Sequence, residues 1–344
     1  MNIIAADVGG TKTRLVYADT DEPFNVLYEK RYLSGEFDDF EPILQAFIKE
    51  CGSAGVMVDT AGVNTITLAL PGLVNDSSAR LTNLPWVIEK QSLQETFGVK
   101  NVYFMNDFQA SALGIGQLHE KDRITLNPDA SNFNENPVAL KKNTRRVAVG
   151  AGTGLGVAWV EGDAKAACAH DTEGGHIDFA PGDDIQIELL RFLQQRFGHV
   201  SYERILSGDG LVSLYQFCAA KQSAANYSDE ISAEWVNRQS EHENDEAAER
   251  ALSLFVQIYG AYIGNIALLF KPYGGIFITG GIAAKIATKM QSESFINAYL
   301  NKGRMRTLVE QIAVYLVTNE RVGVLGAMSE AIKMQLQSQQ QVQQ

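Results

Sequence analysis

The chain has 344 residues, 45% of them hydrophobic, which is material for about two domains of ~150 residues, each with its own core. Lys and Arg number 29 against 41 Asp and Glu, a net charge of −12. That balance argues against nucleic acid or an anionic membrane as the main partner, because both need a positive field. A polyanionic ligand would have to be held by backbone N–H groups, a metal ion or a few local cations.

The three cysteines, Cys51, Cys168 and Cys218, are far apart and form no CxxC pair, a usage that fits a reducing compartment and neither a disulfide framework nor a zinc cluster. The N-terminus lacks a basic segment ahead of its short apolar run. The most apolar later stretch, Ala261 to Ala284, is broken by Lys271, Pro272 and paired glycines, so it does not read as a membrane span. The expectation is a soluble cytoplasmic protein.

In chain order, Ile3 to Ala6 predicts a strand, Asp7-Val8-Gly9-Gly10-Thr11-Lys12-Thr13 a glycine turn, and Arg14 to Ala18 a second strand that completes a hairpin. Phe24 to Tyr32 adds a third strand. Phe40–Cys51 predicts a helix with Phe40, Ile43, Leu44, Phe47 and Ile48 on one stripe. A buried strand follows at Thr65 to Leu70, then a loop at Leu81 to Trp86 and a short helix at Ser92 to Phe97. Val102 to Met105 is again a buried strand, and it stops at Asn106-Asp107, where a helical run from Phe108 through Ile115 takes over. Two readings of Asp107 stand at this point. Asn and Asp cap helices, and a carboxylate at the C-terminal end of a buried strand is also where open α/β sheets place their chemistry.

Lys121 to Arg146 is polar and reads as a surface excursion, Asn-rich around Asn132. The opening pattern then returns: a strand at Arg146 to Val149, the turn Gly150-Ala151-Gly152-Thr153-Gly154-Leu155-Gly156, and a strand at Val157 to Val160. Helices are expected at Ile185–Phe197, Tyr202–Leu206, Leu211–Cys218 and Ala251–Phe270, with a highly charged stretch from Ser228 to Glu249. A strand at Gly275 to Thr279 ends in Gly280-Gly281 before another helix. Ile312 to Leu316 is strand-like, Val322–Leu336 is a helix, and the Gln-rich end reads as disordered. Two strand–glycine turn–strand units in one chain suggest two related α/β domains facing one another across a cleft.

Neither glycine turn fits the common nucleotide motifs. In Gly150 to Gly156 the third glycine of GxGxxG would fall on Leu155 or Val157, and Gly9-Gly10-Thr11-Lys12-Thr13 lacks the Gly-Lys-Ser/Thr that opens a P-loop helix. Both turns nonetheless let backbone N–H groups approach phosphate closely, with the Thr11 and Thr153 hydroxyls as further donors. Asp7 either helps place Mg²⁺ through water or makes an Asx-turn. Gly280-Gly281 either lets the backbone approach a base or ribose or simply turns strand into helix. Glu173-Gly174-Gly175-His176 reads as a loop whose acid and imidazole bind metal, work as acid and base, or hold hydroxyls; a metal site lacks partners, since no cysteine lies near His176. Glu203 is either a further ligand group or a solvated partner of an arginine.

Six stretches together carry a resemblance: Asp7-Val8-Gly9-Gly10-Thr11, Met105-Asn106-Asp107-Phe108, Gly150 to Gly156, Glu173 to Pro181, Glu203 to Gly208 and Ile278 to Ile282. In this order, across nearly the whole chain, they resemble the bacterial glucokinase family, within the superfamily of hexokinases, actin and heat-shock chaperone ATPases. The resemblance implies an α/β fold of two actin-like, ribonuclease H-like domains facing an interdomain cleft. The smaller would comprise residues 1–109 plus about 320–336, the larger 110–319, with a disordered tail at 337–344.

It also implies ATP-dependent phosphorylation of glucose at its 6-hydroxyl, with Asp107 as general base. Asn106, Asp107, Glu173, His176, Glu203 and Asn83 would bind the sugar. Ala6, Asp7, Val8, Gly9, Gly10, Thr11, Gly152, Thr153, Gly154, Gly280 and Gly281 would bind ATP, with Mg²⁺ accompanying it near Asp7 through water and no protein metal site of its own. A homodimer is expected. Lys12 departs from close relatives, which often carry Asn there, and resembles the wider sugar-kinase and repressor family; that family's cysteine-rich zinc motif is absent here. A kinase for another hexose, or an inactive sugar-sensing regulator, are the alternatives.

Overall fold

The computed structural model describes residues 2–20, 25–58, 63–81, 84–128, 130, 144–162, 167–221, 231–242 and 245–342. Asn83 and the Asn-rich stretch at Asn132 lie outside the described residues. The chain divides into two units, one of Met1–Leu118, Gly162–Asp171 and Arg321–Gln344, the other of His119–Glu161 and Thr172–Glu320.

The first unit opens with strands β1 (Asn2–Val8), β2 (Lys12–Asp19) and β3 (Asn25–Leu33), followed by helix α1 (Phe40–Ser53) and strand β4 (Val63–Leu70). The short strands β5 (Leu73–Val74), β6 (Ser78–Arg80) and β7 (Val87–Glu89) make a small antiparallel sheet. Helix α2 (Lys90–Phe97), strand β8 (Asn101–Asn106) and helix α3 (Asp107–Gly114) follow. The main sheet runs β3-β2-β1-β4-β8, antiparallel from β3 to β1 and parallel from β1 to β8. Ile3 through Ala6 are wholly buried, as a central strand covered on both faces requires. Phe40, Ile43, Leu44 and Phe47 of α1 are likewise buried, and the Asp39 side chain caps that helix by accepting from the Phe40 N–H at 2.7 Å.

The second unit repeats the plan. Its strands are β9 (Arg123–Thr125), β10 (Arg146–Ala151) and β11 (Leu155–Glu161), and Thr172 ends the strand β12 (Cys168–Thr172). Helices α4 (Asp184–Phe197), α5 (Gly208–Lys221), α6 (Ala233–His242) and α7 (Glu246–Phe270) lead to strand β13 (Ile276–Thr279). Helices α8 (Gly281–Lys285), α9 (Ala287–Met290), α10 (Glu293–Leu300) and α11 (Arg306–Val309) precede strand β14 (Val314–Val317). The strands run β11-β10-β13-β14-β9, antiparallel for the glycine hairpin β10–β11 and parallel through β10, β13 and β14. Hairpin first, then parallel partners, is the arrangement of β2-β1-β4-β8.

Helix α7 is long and apolar enough to cross a membrane, yet its residues from Ala251 through Ala267 mostly lie in this unit's core.

Three sequence expectations change. Tyr202 to Leu206 is a turn and not a helix, and α5 starts afresh at Gly208. The polar excursion after Lys121 contains β9, which pairs with β14 at the sheet edge. The charged stretch holds α6 and the start of α7, whose polar faces carry the charge.

The closing helix α12 (Val322–Val342) returns to the first unit and continues into the stretch expected to be a disordered tail. Gln and Met are good helix formers, and the Gln335 amide reaches the Thr65 hydroxyl at 3.4 Å. Helix α12 crosses α3 in near backbone contact. A Cβ on Gly326 would lie 1.7 Å from the Ala110 carbonyl oxygen, and one on Gly114 would lie 1.9 Å from that of Val322. This contact keeps α3 with the first unit, which therefore runs to Leu118 where the smaller domain was expected to end at 109.

Gly326→Ala should accordingly cost about 3 kcal/mol or more, because backbone has to move. Gly52→Ala, on α1 with open space around it, should be neutral or stabilising by up to ~1 kcal/mol. Thermal unfolding followed by circular dichroism checks both; equal melting temperatures for the two variants would contradict the tight crossing.

Candidate active site

In the first unit the glycine turn and the carboxylates sit at one end of the sheet. Ala6 and Val8 are buried core of β1, with Asp7 half-buried between them. The Gly9 N–H bonds the Lys12 carbonyl at 2.9 Å and closes the turn. Buried Ser34 braces it from outside: its hydroxyl donates to the Gly9 carbonyl at 2.7 Å and lies 3.0 Å from the Thr13 hydroxyl, and its N–H donates to the Thr11 carbonyl at 3.0 Å. Gly10 is half-buried and Thr11 exposed, so the crest of the turn faces solvent.

At the corner between β8 and α3 the N-cap is Asn106. Its Oδ1 accepts from the N–H groups of Phe108 at 2.8 Å and Gln109 at 3.3 Å, while the Gln109 side chain accepts from the Asn106 N–H at 3.2 Å. This is a full capping box. It occupies Asn106 Oδ1, and no donor bond from Nδ2 is present among the described residues. Asp107, the first residue of α3, accepts from the Phe108 N–H at 2.9 Å on Oδ1. Gln109 Nε2 donates in turn to Asp171 at 2.8 Å, which orients the amide so that its oxygen meets Asn106.

Parallel register fixes the two carboxylates. Asp7 of β1 pairs with Ala69 of β4, and Leu70 with Asn106 of β8, so Asp7 and Asp107 flank the end of β4, about two strand spacings or ~10 Å of backbone apart. Burial pushes the Asp107 carboxyl up to about 7, and the charge of Asp7 adds to the rise against a smaller opposing effect of the Phe108 N–H. Burial likewise raises Asp7 to about 6, partly offset by Arg14 opposite it on β2. The Asp7 carboxylate also lies against the first turn of α12, where a Cβ on Gly323 would stand 2.4 Å from Oδ2.

In the second unit the other turn and the polar loop form one body. Within the turn, the Gly152 N–H bonds the Gly154 carbonyl at 2.8 Å, and the Gly152 carbonyl accepts from the Gly208 N–H of α5 at 2.9 Å. Gly152 and Gly154 are half-buried and Thr153 is exposed at the tip. Glu203 Oε2 accepts from the Leu155 N–H at 2.9 Å, in space that a Cβ on Gly154 would fill at 2.6 Å. Its other oxygen lies 3.7 Å from His176 Nδ1, and His176 Nε2 lies 3.7 Å from the Glu173 carboxylate.

The structure thus brings Glu173, His176 and Glu203 together beside the turn, with side-chain exposures of 88%, 58% and 29%. Glu173 is almost wholly open to a ligand, and Glu203 is half committed to the turn. Arg204, the neighbour of Glu203 in the chain, stacks on Phe197. Gly280, with φ of +89° and a Cβ position 2.5 Å from the Ala151 carbonyl, has to be glycine to end β13 against the glycine turn; Gly281 has open space around it.

Among the described residues no group of three His, Cys, Asp or Glu could hold a metal ion. Sequence reading missed Ser34, Gly323 and the Gln109–Asp171 pair. Of these only Gln109 carried a signal, the Asn-x-x-Gln spacing of a capping box.

Comparison with known proteins adds the following. The profile of the family described as Glucokinase matches residues 4–334. A protein of Nostoc punctiforme named glucokinase is 34% identical over 347 aligned positions, which cover 94% of this chain and 97% of that protein. The crystal structure of a glucokinase from an Antarctic psychrotroph superposes with a TM-score of 0.79 at 24% identity, covering 96% of this chain and 98% of that one. A ROK family glucokinase from Streptomyces griseus, solved in complex with glucose and AMPPNP, superposes at 0.62 with 18% identity, covering 96% and 99%. The two structures share the fold, which is the actin-like one.

The raised carboxyls make a prediction about stability. Asp7 and Asp107 titrate at about 6 and about 7 in the folded chain, above the ordinary 3.8, so between these limits the folded state holds more protons than the unfolded one. Their contribution is complete below pH 3.8 and is lost as pH rises through about 6 and about 7. Asp7→Asn removes one raised group and lowers the other, so urea unfolding from pH 5 to pH 8 should show a shallower loss of stability than in the parent. An unchanged pH slope would contradict the coupling.

Proposed function

The chain belongs to the glucokinase family, and from that premise we propose that it transfers the γ-phosphoryl group of ATP to the 6-hydroxyl of glucose, with Asp107 as general base. The observation that carries this reading is the β8–α3 corner. Asn106 takes over the capping that would otherwise occupy Asp107, and burial holds the Asp107 carboxyl at about 7. A base whose pKa lies near the working pH is both substantially ionised and strong enough to take a hydroxyl proton.

In this reading Asp107 accepts the proton of the sugar's primary hydroxyl as that oxygen forms its bond to phosphorus and the bond to ADP breaks. Positioning and electrostatics dominate such transfers. Asn106, through Nδ2, and Glu173, His176 and the open oxygen of Glu203 hold the remaining hydroxyls, with Asn83 assigned to the sugar by the resemblance alone. Carboxylate, amide and imidazole suit a polyol, whose hydroxyls both donate and accept. The crests at Ala6–Thr11 and Gly152–Gly154 offer backbone N–H groups to phosphates, and Gly280-Gly281 borders the nucleoside. Glucose and AMPPNP bound to the Streptomyces griseus protein, which shares the fold, support the substrate pair.

Mg²⁺ accompanying ATP would neutralise charge on the phosphates, and Asp7 is the residue that would help hold it. Asp7 fits it: a carboxylate whose charge is only partly offset by Arg14 favours a hard cation. The reading also takes in a cytoplasmic homodimer.

Asp107→Asn should lower turnover about 10²–10⁴-fold, the loss expected of a general base. Because it removes a buried ionisable group, the variant should be at least as stable as the parent at pH 8. Near-normal turnover in a folded variant would refute the role. A coupled ADP assay across glucose, mannose, fructose and an acetylated aminosugar separates glucokinase from other hexose kinases, and glucose binding without ADP release would mark a regulator.

A further inference from the structure

The loop that carries Glu173 and His176 is held by four of its carbonyls. The Glu173 carbonyl accepts from the His176 N–H at 3.0 Å, that of Gly175 from the Glu203 N–H at 2.9 Å, and that of Ile177 from the Tyr202 N–H at 3.1 Å. The fourth, on Gly174, accepts from the Tyr262 hydroxyl at 2.8 Å. Tyr262 is the only side chain among these four donors, and it comes from outside the loop, from the core helix α7, with no solvent exposure.

One turn further along α7, the Asn265 amide donates to the Tyr202 hydroxyl at 2.9 Å, and its oxygen accepts from Lys302 at 2.8 Å. The rings of Tyr202 and Tyr262 lie against each other with centroids 4.5 Å apart. Tyr202 precedes Glu203 in the chain, and Gly174 follows Glu173. One face of α7 therefore grips the residue beside each of the two carboxylates. A backbone carbonyl that loses its partner in such a setting moves to find another, and the side chains on either side move with it.

We propose that Tyr262 is a positioning residue for sugar binding: its hydroxyl fixes the Gly174 carbonyl and so sets Glu173 and His176, with Asn265 doing the same for Glu203 through Tyr202. Neither residue touches substrate. The proposal rests on the reading of Glu173 and His176 as the groups that hold sugar hydroxyls.

Tyr262→Phe removes one oxygen and keeps the ring. It should raise the KM for glucose about five- to tenfold, the equivalent of one hydrogen bond, and leave the KM for ATP within about twofold. The matching control is Tyr299→Phe, elsewhere in the same core, whose hydroxyl donates to the carbonyls of Val309 at 2.7 Å and Ile312 at 2.9 Å. It should lower the melting temperature at least as much without moving the glucose KM. Asn265→Ala should give the same split as Tyr262→Phe and serves in its place if that variant does not fold. An unchanged glucose KM in the folded variants, or an equal rise in Tyr299→Phe, would overturn the inference. If Glu173→Gln and His176→Gln both leave the glucose KM unchanged, the sugar-holding reading itself is at fault.

Discussion

Parallel pairing of β1, β4 and β8 decides where the charge of the first unit lies. In a parallel sheet all C-terminal ends fall on one side, so Asp7 at the end of β1 and Asp107 just past the end of β8 are held at the same edge with only β4 between them. Two carboxylates in one half-buried setting raise each other's cost of ionisation. Arg14, opposite Asp7 on β2, relieves Asp7 in part, and Arg14 is itself tied to Glu29 of β3. The strain of holding charge there is a property of the sheet register and not of any one residue.

The edge stays in place because its neighbours cannot shift. Helix α3, which begins at Asp107, is pressed against α12 at Gly114 and Gly326, and α12 in turn abuts the Asp7 carboxylate at Gly323. Three glycines thus remove the side chains that would separate these parts. The capping box of Asn106 and Gln109 fixes the first turn of α3, and Asp171 fixes the amide of Gln109.

The second unit solves a different problem with similar means. Glu173 and His176 are open to solvent and have to be held on a loop. Glu203 bridges the glycine turn and the loop by bonding the Leu155 N–H and, through its own N–H, the Gly175 carbonyl. The glycine turn and the loop with Glu173 and His176 are consequently parts of one hydrogen-bonded body. The core helix α7 supports that body from behind, which links a buried apolar element to the chemistry at the surface.

Sequence alone determined the repeated strand–glycine turn–strand unit, the strand ends that carry Asp7 and Asp107, and the loop with Glu173 and His176, because hydrophobic period and glycine placement are local signals. It carried the family as well, since six motifs in fixed order are specific where each singly is not. It misread the Tyr202–Leu206 turn as a helix, as apolar spacing over five residues does not distinguish the two, and it stopped the closing helix short, because a Gln-rich end looks disordered until packing on Thr65 is known. At the strand end of β8 the sequence offered Asp107 as cap or base; the tertiary structure gave the capping to Asn106. What only the fold decided are the contacts between residues distant in the chain: Ser34 under the first turn, Gly323 against Asp7, Tyr262 on Gly174. Their physical basis is close approach of backbones, and nothing in a residue's neighbours along the chain records which surface will press against it.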